Sequence, residues 1–147
     1  SKSKSLSSGQ VLMRDYQYEE ARLIVKEMTE LLCLDLVDKG LITDSISLYI
    51  GYSHTVGYPS ARGTVTLQMA TSSAMTIRPQ AAELFDRIVN RFIPIRRINI
   101  CCNRVMEEAY QQYDIFTDPA DLEKERKIQQ VMIEIKNRFG KNAVLSL

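Results

Sequence analysis

Histidine is nearly absent from this sequence: 147 residues hold one, His54. No acidic or nucleophilic partner stands at helical or strand spacing from it, which makes it a plain loop residue rather than a catalytic base. Cysteine is sparse and odd in number, at three, with Cys101 and Cys102 adjacent. Without a C-x-x-C pair, neither a zinc site nor a disulfide framework is expected, and a reducing cytoplasm fits best. Neither G-x-x-x-x-G-K-[ST] nor G-x-G-x-x-G occurs, so the familiar phosphate-cradling loops are missing. No apolar run reaches about 18 residues, and no signal-peptide core is present, so no membrane partner is expected. The carboxylates fall mainly on the surfaces of predicted helices, which leaves a two-metal carboxylate site without a home. A complete active site is not expected in this chain.

What is present suits an ordinary globular domain: 45% apolar and 25% charged residues, in a chain long enough to bury a core. Its organising stretch runs from Ser45 to Thr71. Ser45–Tyr52 and Thr64–Met69 both alternate apolar and polar residues at period two, the pattern of half-buried strands. Between them, His54 to Gly63 is rich in turn formers and reads as a mobile, basic-tipped loop. One face of this hairpin carries Ile46, Leu48, Ile50, Val65, Leu67 and Met69 and needs an apolar cover. The other carries Ser47, Tyr49, Thr64, Thr66 and Gln68 and can stay bare.

The segments around the hairpin complete a frame. Residues 1–8 read as an incoming linker, and Gln10–Met13 as a first strand, in which Gly9 marks a bulge or a close backbone approach. Tyr16 to Lys39 is a helix with Ala21, Ile24, Met28, Leu31, Leu32 and Leu36 on its apolar stripe, and Glu19, Glu20, Glu27 and Glu30 in water. Gly40 is its C-cap signal. Pro79 opens a second helix at its first position, with Ala82, Phe85, Ile88, Val89 and Phe92 buried and Pro94 as its stop. In a fourth strand, Ile95–Cys102, Ile98, Ile100 and Cys102 alternate with Arg97, Asn99 and Cys101. A third helix follows Asp118-Pro119 and runs to Phe139, with Ile128, Val131, Met132, Ile135 and Phe139 as its stripe. The expected fold is α+β: a β-α-β-β-α-β order, with two helices on one face of a four-stranded antiparallel-type sheet in a ferredoxin-like arrangement, and a C-terminal helix added.

A net charge of +1 hides a segregated pattern. Residues 15–44 hold eight acids against three bases, and residues 107–125 hold seven acids against one lysine. Residues 45–82 hold Arg62 and Arg78 with no acid. Residues 87–104 hold Arg87, Arg91, Arg96, Arg97 and Arg104, again with no acid. Strands in the basic blocks and a helix in an acidic one imply a sheet face of positive potential, as a phosphate-backbone binder requires. An RNA-recognition module of similar outline would stack bases on aromatics of its central strands. Here Thr64, Thr66 and Gln68 stand in those places, with Tyr49 nearby and Tyr52 in phase with the buried side. Hydroxyls and arginines favour phosphate contacts.

Several stretches resemble one family. Lys4-Ser5-Leu6-Ser7-Ser8-Gly9-Gln10 looks like the lead-in to the little-finger domain of Y-family translesion DNA polymerases, and Ser60-Ala61-Arg62-Gly63-Thr64-Val65-Thr66-Leu67 like the segment after its hairpin loop. Pro94-Ile95-Arg96-Arg97-Ile98-Asn99-Ile100 resembles the domain's last strand, with Asn99 where glycine is usual. Gln112-Tyr113-Asp114-Ile115-Phe116 resembles the bacterial sliding-clamp-binding pentapeptide, with Tyr113 and Ile115 in place of leucines. Arg138-Phe139-Gly140-Lys141-Asn142-Ala143 is similar to the close of the UmuC/ImpB/MucB/SamB-type bacterial enzymes.

The resemblance implies a non-catalytic DNA-binding domain of a lesion-bypass, SOS-type DNA-repair polymerase. Residues 1–106 would be the little finger, 107–118 an acidic linker with the clamp peptide, and 119–147 a helix and tail. The partners would be double-stranded primer–template DNA, the bacterial sliding clamp and the polymerase core in cis, in the cytoplasm at the nucleoid. No cofactor is expected for this chain, because the magnesium ions would belong to the absent palm. Lys4, Ser5 and Ser7 on the first strand, Arg62, Thr64 and Thr66 at the hairpin, and Arg96 and Arg97 on the last strand would meet the DNA backbone. Gln112, Tyr113, Asp114, Ile115 and Phe116 would bind the clamp. Arg96 is in phase with the core-facing Ile98, so spacing alone favours Arg97. Two other classes stay open on the residues alone: an RNA-recognition-like single-strand binder, and a ferredoxin-like regulatory or dimerisation domain.

Overall fold

A computed structural model describes residues 4–108 and 119–139 of the chain. The elements are β1 (Lys4–Tyr16), α1 (Tyr18–Lys39), β2 (Leu41–Tyr52), β3 (Ala61–Thr71), α2 (Ala74–Ile88), β4 (Ile95–Glu107) and α3 (Pro119–Phe139). The strands form one antiparallel sheet in the order β1-β4-β2-β3. Both crossovers are split: β4 lies between β1 and β2, and β2 lies between β3 and β4. The expected α+β frame is therefore present, with its two helices on one side of the sheet.

That side is the core. Ile46, Leu48 and Ile50 of β2 and Ile98, Ile100 and Cys102 of β4 alternate inward and meet Val25, Leu32 and Leu36 of α1 and Leu84 and Phe85 of α2. Gly63 of β3 lets α2 come close, since a Cβ there would stand 2.8 Å from both Leu84 and Ile88. The strands are longer than the alternation alone gives. β1 begins at Lys4, inside the expected linker, because its amides pair with β4 from Lys4 to Tyr16. Gly9 sits in regular register opposite Asn99, and the irregularities fall at Lys4/Leu6 and Val11/Tyr16 instead.

Helix boundaries also differ from the sequence reading, for local reasons. Glu20 reaches back to the Gln17 amide at 3.1 Å and bonds Arg14 at 2.6 Å, which starts α1 at Tyr18 rather than Tyr16. Gly40 ends it in the left-handed region, at φ 66°, as its C-cap signal predicts. The Ser73 side chain caps α2, so the helix begins at Ala74 and Pro79 lies inside it. At the other end α2 stops at Ile88. Asn90 Oδ1 accepts from the Phe92 amide, which turns the chain out and leaves Phe92 88% exposed, where burial is expected.

α3 packs on α1, away from the sheet. Ile133 meets Leu34 and Val37, while Ile128, Val131 and Ile135, three of the five residues of the expected stripe, face out. Polar contacts select this face. Gln129 Nε2 donates to the Ser72 carbonyl at 3.2 Å, Arg126 pairs with Glu108, and Lys136 pairs with Asp35 at 3.6 Å. Glu125 accepts from Ser73 Oγ at 2.5 Å and from the Met75 amide at 3.1 Å, placing a carboxylate at the α2 N-terminus. Glu30 is not in water as expected. It is buried beside α2, with Arg78 at 3.1 Å.

The loop after Tyr52 is anchored rather than free. The Asn90 amide donates to Tyr52 Oη at 2.9 Å and its Nδ2 to Tyr58 Oη at 3.0 Å, while the Ser53 amide donates to the Pro94 carbonyl at 2.9 Å. Tyr52 and Tyr58 also meet edge to face.

Candidate nucleic-acid interface

The face of the sheet opposite the helices carries no layer among the described residues. Strand pairing sorts its side chains into rows. Ser7, Cys101, Ser47 and Thr64 lie abreast across β1, β4, β2 and β3, and Gly9, Asn99, Tyr49 and Arg62 form the next row. Val11, Arg97 and Gly51 form a third, and Asn103, Ser45 and Thr66 a fourth. No acidic residue stands in any of these rows.

The two arginines on this face are positioned differently. Arg62 lies over the Tyr49 ring, 5.0 Å from its centroid. Arg97 stands beside Gly51, where a Cβ would come within 3.2 Å of Arg97 Cβ, so the glycine leaves the arginine stem its place. Among the described residues neither guanidinium has an acidic partner, whereas Arg14, Arg22, Arg78, Arg91, Arg96 and Arg104 all do. Two unneutralised cations thus sit on a surface of hydroxyls and amides.

The structure brings Ser7, Arg62, Thr64, Thr66 and Arg97 to this one face. Lys4 and Ser5 lie at the start of β1, exposed, with Lys4 opposite Val105 beyond an irregularity. Arg96 is elsewhere. Its Nε donates to the Leu12 carbonyl at 2.8 Å, and its guanidinium reaches the Met13 carbonyl and Asp15, bracing the end of β1. The clamp-peptide residues Gln112 to Phe116 lie outside the described residues.

Asn99 and Asn103 belong to the face and were not among the residues singled out for contact from sequence. Asn99 Nδ2 would meet a Cβ at Gly9 at 2.9 Å. Asn103 donates through Nδ2 to Ser47 Oγ at 2.7 Å and to Ser45 Oγ at 3.1 Å, and its Oδ1 accepts from Cys101 Sγ at 3.2 Å. Ser47 and Thr64 hydroxyls are 2.8 Å apart. The signal was available: the alternation Arg97-Asn99-Cys101-Asn103 continues the strand past Cys102. Burial raises the Cys101 thiol pKa against the opposing effect of the Ser5 hydroxyl, and burial first pushes Cys102 up to about 12. Both thiols are therefore neutral near pH 7. Among the described residues no three His, Cys, Asp or Glu side chains group together as metal ligands. No described helix is long and apolar enough to cross a membrane.

Comparison with known proteins gives this face a family context. The C-terminal domain of the impB/mucB/samB family matches residues 3–115. UvrX of Bacillus subtilis (strain 168), named for UV-damage repair, is 28% identical over 142 residues, covering 96% of this chain and 33% of its own length. DNA polymerase IV 2 of the same organism is 24% identical over 144 residues, covering 97% of this chain and 34% of its own. The chain thus spans about a third of the length of these curated relatives. Among solved structures, the Dbh DNA polymerase of an insertion ternary complex superposes with a TM-score of 0.57 at 10% identity, over 71% of this chain and 29% of that one. A complex of the beta-clamp processivity factor and the little finger domain of PolIV superposes with a TM-score of 0.52 at 9% identity, over 78% of this chain and 100% of that one. At those identities the likeness is one of fold. The family match, covering most of the residues and the whole of the sheet, is what decides: the chain belongs to the impB/mucB/samB family and is its C-terminal, little-finger domain.

Proposed function

We propose that the open sheet face grips the phosphate backbone of primer–template duplex without reading its sequence, as the non-catalytic binding domain of a lesion-bypass DNA polymerase. The observation that carries this reading is the pairing of two unneutralised guanidiniums, Arg62 and Arg97, with an acid-free field of hydroxyls and amides. Cations supply counterion release, and short neutral donors fix the backbone's position. Ser7, Thr64 and Thr66 are the hydroxyl contacts, Lys4 and Ser5 extend the track along β1, and Arg96 shapes the edge strand from behind. Polymerisation falls to a core joined in cis. The names of the relatives, one for UV-damage repair and one for a DNA polymerase, support lesion bypass, and the reading extends to an SOS setting and a place in the cytoplasm at the nucleoid.

The residues from 107 to 118 act as the linker that presents Gln112, Tyr113, Asp114, Ile115 and Phe116 to a sliding clamp, between the sheet domain and the terminal helix. A fluorescence titration against the clamp tests this: Gln112→Ala with Phe116→Ala abolishes binding, and wild-type affinity in that double variant would contradict it. For the face itself, anisotropy with labelled duplex DNA and labelled single-stranded RNA separates the readings. Preference for the duplex is expected. Preference for the RNA would favour a base-stacking module, and a stable dimer without nucleic-acid affinity would favour a regulatory domain. Tyr49 argues against stacking, because its ring is already covered by Arg62.

A further inference from the structure

We propose that Asn103 is a positioning residue that turns the Ser47–Thr64 hydroxyl pair into a directed donor for a phosphodiester oxygen; this rests on the duplex-binding reading above. An asparagine amide has two N–H donors and one carbonyl acceptor. Here both hydrogens have oxygen acceptors, Ser47 Oγ at 2.7 Å and Ser45 Oγ at 3.1 Å. The carbonyl takes the Cys101 thiol at 3.2 Å. The reversed amide would aim its donors at sulfur, a weak acceptor, whereas this orientation gives both N–H groups oxygen acceptors.

The direction of the chain follows. A hydroxyl that accepts a hydrogen bond becomes a better donor, because successive bonds polarise one another. Polarised by the bond from Asn103, Ser47 is the favoured donor to Thr64 across the 2.8 Å contact, in which either hydroxyl could donate. The hydrogen left over is then that of Thr64, an exposed residue of the open face. The relay thus runs from Asn103 through Ser47 to Thr64 and ends in an O–H left to donate at that face. Phosphate oxygens are acceptors only, so such a face favours them over base edges, which mix donors and acceptors. Asn103 itself is half-buried at the root of the relay and acts through Thr64 rather than by touching DNA.

A double-mutant cycle on the chain, read by anisotropy with a fluorescein-labelled primer–template duplex, tests this. Thr64→Val deletes the terminal donor and weakens binding by about fivefold to tenfold, while Thr64→Ser restores it. Asn103→Ala weakens binding by a few-fold through the same donor, so the double variant Asn103→Ala with Thr64→Val binds no more weakly than Thr64→Val alone. The dependence of log K on log salt keeps its slope in all of them, because no cation is lost. Wild-type binding by Asn103→Ala, or losses that simply add, would overturn the relay while leaving duplex binding in place. Failure of the wild-type chain to bind duplex would overturn both. The exposed Thr64 pair keeps the test open if Asn103→Ala disturbs folding, since equal binding by Thr64→Val and Thr64→Ser would itself overturn the proposal.

Discussion

Arg62 lies across the sheet from Tyr49, its guanidinium 5.0 Å from the centre of the tyrosine ring. The contact holds a flexible cation over a rigid neighbour and lowers the entropy lost when it meets a phosphate. Tyr49→Leu is therefore expected to weaken duplex binding by roughly two- to fivefold at constant salt slope, with Tyr49→Phe close to wild type. Equal losses in both variants would show that the tyrosine hydroxyl, not the ring, matters.

Two glycines on the sheet should behave differently. A Cβ at Gly63 meets Leu84 and Ile88 at 2.8 Å, within the packed core. Gly63→Ala is expected to cost about 1–3 kcal/mol in urea denaturation, because the helix must move back. At Gly9 the nearest atom is Asn99 Nδ2 at 2.9 Å, the end of a side chain that can swing. Gly9→Ala should cost little stability, and its effect should appear in duplex affinity, by raising the floor of the binding face. Similar stability losses in both variants would contradict this division.

Much of the frame was legible because period-two alternation is enforced by a sheet buried on one side. Ile46, Leu48, Ile50, Ile98 and Ile100 face the helices as their spacing requires. The misses have other causes. Pro79 looked like a helix start, but Ser73 and Glu125 cap the helix a turn and a half earlier, and Glu125 comes from a segment about fifty residues away. Ile128, Val131 and Ile135 formed a plausible stripe, yet the polar contacts of Gln129 and Lys136 set which face of α3 docks. Of the candidate face, Arg97, Thr64 and Thr66 followed from alternation. Spacing already favoured Arg97 over Arg96, and the bonds of Arg96 to the Leu12 and Met13 carbonyls give the physical reason. Asn103 lay hidden because the strand outran its apolar pattern.

The α1–α2 contact carries a pH dependence. Arg22 bonds Asp86 at 2.8 and 3.0 Å, and the Tyr18 hydroxyl also donates to it. The Arg22 guanidinium holds the Asp86 carboxyl below its ordinary range, against partial burial and with help from Tyr18. A carboxylate depressed in the folded state contributes stability above its unfolded pKa of about 3.9, and that stability is lost as pH falls through the lower folded value. Asp86→Asn should therefore lower the melting temperature at neutral pH, with the gap to wild type closing in acid. A gap that stays constant from neutral pH down through about pH 3 would exclude the ion pair as its source.

Glu125 joins the terminal helix to the rest of the domain. Its carboxylate meets Ser73 Oγ and the Met75 amide at the α2 N-terminus. Glu125→Ala is expected to cost about 1–2 kcal/mol and to speed hydrogen exchange at the Met75 amide, by loss of a cap and of a favourable dipole contact. Unchanged exchange at that amide would mean that α2 is capped without help from α3.

The central claim is that the open sheet face binds DNA through phosphate charge, and a salt titration of duplex binding tests it most directly. Replacing Arg62 and Arg97 together by alanine removes the two cations without acidic partners on the face. The slope of log K against log salt should then fall in magnitude by about 2, with affinity reduced alike for unrelated duplex sequences. An unchanged slope and affinity in the double variant would contradict the account.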